Sequence, residues 1–136
     1  MLPSDPRAQL ARTWLARAEL DLRLARLAAS DSALSGLASF HCQQAAEKAF
    51  KAFLAWRNRP FRRTHDLPTL LAQCRELEPA FMELQIAAQT LDDYLTAGRY
   101  PDTGPDPSAD EAAQALALAA LAIDFVADRL PTIDRP

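Results

Sequence analysis

Phe40-His41-Cys42-Gln43-Gln44-Ala45-Ala46-Glu47-Lys48-Ala49-Phe50-Lys51-Ala52-Phe53-Leu54 is the stretch whose reading decides the fold. Wound into a helix, it divides into two sides. Cys42, Ala45, Ala46, Ala49, Ala52, Phe53 and Trp56 fall along one stripe, and Gln43, Gln44, Glu47, Lys48 and Lys51 fall opposite. A stripe built largely of alanine lets another helix come close. On the polar side Glu47 and Lys51 form an i,i+4 couple, worth roughly 0.3 kcal/mol when exposed. This periodicity predicts a bundle helix and no particular function.

Outward from that stretch the chain reads as helices only. Asp5-Pro6 supplies a side-chain acceptor and a proline for a helix start, predicting a first helix over 6–29. Trp14, Ala18, Leu22 and Ala25 make one apolar stripe on it, and Leu20, Leu24 and Leu27 a second, so contacts on two sides are expected. Ser30-Asp31-Ser32 breaks that helix and caps a second over 32–56, within which Gly36 marks a tight crossing or a late start. A loop over 57–63 follows. Thr64 or Asp66 caps a shorter third helix over 67–77. Glu78-Pro79 starts a fourth, carrying Phe81, Leu84, Ala88, Leu91 and Leu95, with Gly98 as its C-cap.

The segment 99–107, RYPDTGPDP, holds three prolines and a glycine and cannot continue a helix. Ser108 and Glu111 then have capping-box spacing, with Asp106-Pro107 as a competing start. The last helix, up to Leu130, is apolar almost all round. It is therefore expected at the bundle centre or in a subunit interface.

Bulk properties narrow the function classes. The 136 residues, 49% hydrophobic with only 3 glycines, fit one domain over 1–136 and exclude a disordered or fibrous chain. A formal charge of -3 argues against a broad phosphate-binding surface, though not a local one. No apolar run reaches the length that spans a bilayer, and the first residues lack a signal core, so a cytoplasmic protein without membrane contact is expected. Cys42 and Cys74 lie inside helical patterns and read as reduced core thiols. Zinc-type spacing is absent, so no metal and no cofactor are expected.

Few residues offer chemistry. His65, in Thr64-His65-Asp66-Leu67, reads either as a loop-fixing imidazole or as a proton-transfer or phosphate-contacting group. Arg57, Arg59, Arg62 and Arg63, around Phe61, read as a solvated cluster or a local nucleic-acid contact. Arg99-Tyr100 on a proline loop suits phosphate plus base recognition; alternatively Arg99 caps helix-end carbonyls and Tyr100 plugs the bundle end. His41 lies beside the apolar stripe and reads as half-buried packing. Nothing resembles a nucleophile elbow.

FHCQQAAEKAFKAFL, THDLPTLL and YLTAGRYPD, in this order and before an alanine-rich last helix, resemble the HEPN domain family across nearly the whole chain. The resemblance implies an all-α, up-and-down helical bundle of four main helices plus a short one, usually a homodimer. It also implies a role beside a minimal nucleotidyltransferase in toxin–antitoxin-like pairs, with nucleotide binding proposed for the family. Many relatives cleave RNA without metal, using an arginine and a histidine four to six residues apart near the last helix. No histidine follows Arg99 here, and the Arg59/His65 spacing falls in a different loop. The expectation is therefore a non-catalytic nucleotide-binding or partner subunit, with Arg99, Tyr100, Lys51 and His65 as nucleotide-binding residues. The alternative is an RNA-cleaving toxin using His65 with Arg99 or Arg59, and a third is a structural dimer that binds no nucleotide.

Overall fold

The first helix begins where its cap predicts. Asp5 accepts the backbone N–H of Arg7 at 2.8 Å, and Pro6 occupies the first turn, where its missing N–H costs nothing. The computed structural model describes residues 5–61 and 66–131. These form α1 (Pro6–Ala29), α2 (Ser35–Trp56), α3 (Leu67–Leu77), α4 (Gln85–Asp92) and α5 (Ala109–Ala127), with 3-10 segments at Ser32–Leu34 and Pro79–Leu84. No strand occurs among the described residues. Asp31 caps the first 3-10 segment and Asp66 caps α3. Ser108 and Glu111 complete both bonds of the capping box that starts α5.

α1 and α2 form an antiparallel hairpin. Arg7 lies over Trp56, Lys51 over Trp14, and Asp21 pairs with Lys48 and His41, a run in opposite chain directions. The remaining helices also close on α2. Phe81, fully buried in the second 3-10 segment, ties the layers together: its ring centroid lies 4.5 Å from that of Phe53 and 4.9 Å from that of Phe125.

Three expectations change on contact with the structure. The centre of the bundle is α2, and α5 instead leaves Ala113, Ala117 and Leu121 outward. With helices around it, α2 also buries the side read as polar: Gln43 is 0%, Glu47 2% and Lys51 9% exposed. Lys51 reaches Glu47 at 3.3 Å and lies 5.4 Å from the Trp14 ring centroid and 5.5 Å from that of Phe61. Second, only one stripe of α1 packs: Leu20, Leu24 and Leu27 stay exposed, because α1 sits at the rim and turns a single face inward. Third, the fourth helix is broken. After Pro79 the chain runs as a 3-10 segment that lines up Phe81 and Leu84 three residues apart, and only Gln85–Asp92 is α-helical.

The buried pair makes a testable case. Removing one partner of a buried ion pair strands the other and costs about 3 kcal/mol, whereas replacing both by neutral groups of similar volume is much cheaper. Urea unfolding should therefore show Glu47→Ala, which takes the carboxylate from the buried Lys51 ammonium, losing about 3 kcal/mol and the Glu47→Gln/Lys51→Met double variant losing less.

Candidate anion-binding site

A close backbone crossing builds one end of the molecule. Beyond α4 the chain continues as turns and reverses at Gly98, whose φ of 72° favours glycine. A Cβ on Gly98 would meet the backbone nitrogen of Leu37 at 2.6 Å and the carbonyl carbon of Gly36 at 2.8 Å. A Cβ on Gly36 would in turn meet Gly98 Cα at 3.0 Å and the Asp106 carboxyl carbon at 2.8 Å. Gly36 is thus a tight crossing, and, because α2 begins at Ser35 after the 3-10 segment, it marks the late start as well. Asp106 accepts the Gly98 N–H at 3.2 Å, and Ser35 Oγ donates to the Pro107 carbonyl at 2.6 Å. The proline loop is therefore fastened at both ends to the start of α2.

The crossing delivers Arg99 onto α2. Its guanidinium lies 4.1 Å from the Phe40 ring centroid and 5.2 Å from that of Tyr100, and Nη2 donates to the Leu95 carbonyl at 2.7 Å. Arg99 thus bonds a carbonyl of the turns beyond α4 and not one at the helix end, and the residue remains exposed. Tyr100 is 50% exposed and does not plug the bundle. Arg99, Tyr100, Gly98, Pro101, Gly104 and Asp106 line an open depression of about 320 Å³. A guanidinium braced over one ring and beside another offers its remaining N–H groups to an anion, with an aromatic face nearby for stacking.

The other candidates are not brought to this place. Lys51 is caged by Trp14, Phe61 and Glu47, about 16 Å along α2 from Phe40 at the helical rise. His65, like Arg62 and Arg63, lies outside the described residues. Arg57 lies over Phe53, and Arg59 pairs with Glu76.

Periodicity alone missed a second cluster at the same end. Only Leu37, Phe40, His41, Gln44, Lys48 and Trp56 of α2 are less than fully buried. His41 Nδ1 is 3.0 Å from Asp21 Oδ1 across the hairpin, and Lys48 Nζ donates to Asp21 Oδ2 at 2.6 Å. The Phe40 and His41 rings meet edge to face with centroids 5.0 Å apart. His41 is half-buried, as read from the sequence, but it is also held by a carboxylate. The signal available in sequence was the His41/Lys48 spacing, seven residues and two turns, which puts both on one face.

Other titratable groups do structural work. Cys42 and Cys74 are free and wholly buried. Burial pushes the Cys42 thiol up to about 12 and the Cys74 thiol further still, so neither is a nucleophile. Among the described residues no group of three or more His, Cys, Asp or Glu side chains could hold a metal ion. No described helix is long and apolar enough to cross a membrane.

A helical bundle around an alanine-lined central helix, with an arginine–aromatic loop fastened across one end, defines a class of small all-α domains. The HEPN domain model matches residues 11–130, and the chain belongs to that family. The crystal structure of TT1696 from Thermus thermophilus is similar: 36% identity, 88% of this chain and 98% of that one covered, TM-score 0.76. ST0689, described as an archaeal HEPN homologue, has 29% identity, 89% and 98% coverage and a TM-score of 0.69. No curated protein matches the chain.

This geometry can be tested at two positions. Gly98→Ala forces a side chain into backbone at positive φ and should cost at least about 2 kcal/mol in thermal or urea unfolding. At the start of α3, Asp92 accepts the Leu67 N–H at 3.1 Å, and its acidity is weakened, first by burial and then by its Asp66 and Asp93 neighbours. A carboxyl whose folded pKa is raised costs stability when it ionises, so the penalty is absent below the ordinary carboxylate value, grows as pH rises from there to the folded value, and is constant above it. Asp92→Asn keeps the acceptor and removes the charge. It should raise stability at neutral pH and give no gain near pH 3; equal effects at both would contradict this.

Proposed function

We propose that this HEPN domain is a non-catalytic subunit that binds a nucleotide at Arg99 and Tyr100. In this reading it acts as a dimer beside a minimal nucleotidyltransferase in a toxin–antitoxin-like pair. The observation that carries the binding reading is the Arg99 guanidinium, fixed 4.1 Å over Phe40 yet solvent-facing, with Tyr100 beside it. Phosphate would take the free guanidinium N–H groups, and a base would stack on the half-exposed ring. Binding is favoured over RNA cleavage because no histidine follows Arg99 in the chain. The ribonuclease alternative rests on His65, outside the described residues. The partner assignment rests on the family alone.

An arginine–phosphate contact is worth about 1.5–3 kcal/mol. Calorimetric nucleotide titration should therefore show Arg99→Ala weakening binding roughly ten- to a hundredfold. The same wild-type protein should leave single-stranded RNA intact in EDTA. Equal affinities, or metal-independent cleavage lost in His65→Ala, would reject the reading.

The dimer is supported by the exposed row of Leu20 (57%), Leu24 (47%) and Leu27 (68%) on α1, a larger apolar surface than Leu121 gives α5. Light scattering at micromolar concentration should report twice the 15.0 kDa chain mass. Leu24→Glu should shift it to the monomer. A wild-type monomer at that concentration would remove the dimer.

A further inference from the structure

We propose that Arg99 and His41, which meet on the Phe40 ring, together with Lys48, which shares Asp21 with His41, form one composite site for a phosphate dianion or a phosphate-bearing ligand. Asp21 is the positioning residue that fixes His41. This deepens the nucleotide reading, which supplies Arg99, and adds residues that neither the family match nor the arginine loop assigns.

The two motifs singled out in the sequence meet on one ring. Arg99 covers the face of Phe40 at 4.1 Å, and His41 meets the same ring with centroids 5.0 Å apart. Asp21, its side chain only 12% exposed, holds His41 Nδ1 at 3.0 Å and thereby selects the tautomer that carries the proton there. Nε2 is then the unpartnered nitrogen among the described residues, on a side chain 26% exposed. With His41 neutral, Nε2 presents a lone pair and repels an anion. With His41 protonated, Nε2–H becomes a charged donor while Nδ1–H stays on Asp21.

The surrounding charges support this polarity. From α1, Asp21 is offset by Lys48, whose Nζ lies 2.6 Å from Oδ2, and Arg26 is near enough to act on the Cys42 thiol next to His41. From α2 itself come Lys48 and the neutral Gln44. From the loop come Arg99 and Asp106, the latter already accepting the Gly98 N–H. The arrangement is therefore cationic when His41 is protonated, inside a chain whose overall charge is -3. Such an imidazolium donates from both nitrogens and has no pair left to take a proton, which makes it a binding group rather than a base.

Sulfate is the probe, because it mimics a phosphate dianion and does not titrate in the range used. Its affinity is read by NMR from the Phe40, His41 and Arg99 resonances of the full chain, at about pH 8 and about pH 5.5. The wild type should bind about tenfold tighter at the lower pH. His41→Gln should bind equally at both pH values, and Arg99→Ala should bind more weakly at both. Asp21→Asn, which weakens the hold on Nδ1, should lose most of the gain at the lower pH while keeping the Arg99-dependent binding, a split that mere packing would not produce. Wild-type affinity independent of pH, or a pH gain retained in His41→Gln, overturns the composite site. Arg99-dependent but pH-independent binding does so while leaving the nucleotide reading in place.

Discussion

Everything in this fold depends on how closely helices approach α2. Ala38, Ala45, Ala46, Ala49 and Ala52 are all fully buried there, and a methyl group is the largest side chain they place between helix axes. Close approach extends dispersion contacts along the helix and removes most of its surface from water. It also removes the option of a polar face. Gln43, Glu47 and Lys51 are carried into the interior with the alanines, and Lys51 finds a carboxylate and two aromatic rings there. A buried ion pair of this kind adds little net stability, but it makes departures from this packing expensive.

The same helix leaves one edge uncovered, and the loop after α4 decides what happens there. Gly36 and Gly98 bring two backbones together at a distance no side chain allows, and Asp106 and Ser35 fasten the ends of the proline segment. Those constraints bring Arg99 to Phe40, and its bond to the Leu95 carbonyl and its stacking on the ring hold it there. Next to it, Asp21 reaches across the α1–α2 hairpin to orient His41 and hold Lys48. A rigid crossing thus converts residues nearly sixty positions apart in sequence into neighbours.

Local chemistry was the legible part of the sequence. The caps at Asp5, Asp31, Asp66 and Ser108 start helices as their side chains dictate, and α3 occupies the expected residues. These are interactions over two to four residues, which a sequence displays directly. Which helix lies at the centre was not legible, because an alanine stripe and an all-apolar helix both signal burial without saying from how many sides. The leucine row of α1 misled for the same reason: periodicity shows a stripe, and only packing shows whether anything covers it. The arginine loop was visible as a motif. Its meeting with Phe40 and His41 was not, since that contact is made by a glycine crossing between distant segments.

We infer that the glycine crossing presents Arg99 over Phe40 as an anion-binding group beside the Asp21-held His41. A crystal structure of the protein grown with sulfate near pH 5.5 tests it most directly. A sulfate is expected in contact with the Arg99 guanidinium and His41 Nε2, with Arg99 still stacked on Phe40 and Asp21 still on Nδ1. A sulfate bound elsewhere with this edge empty, or Arg99 swung away from Phe40, would contradict it.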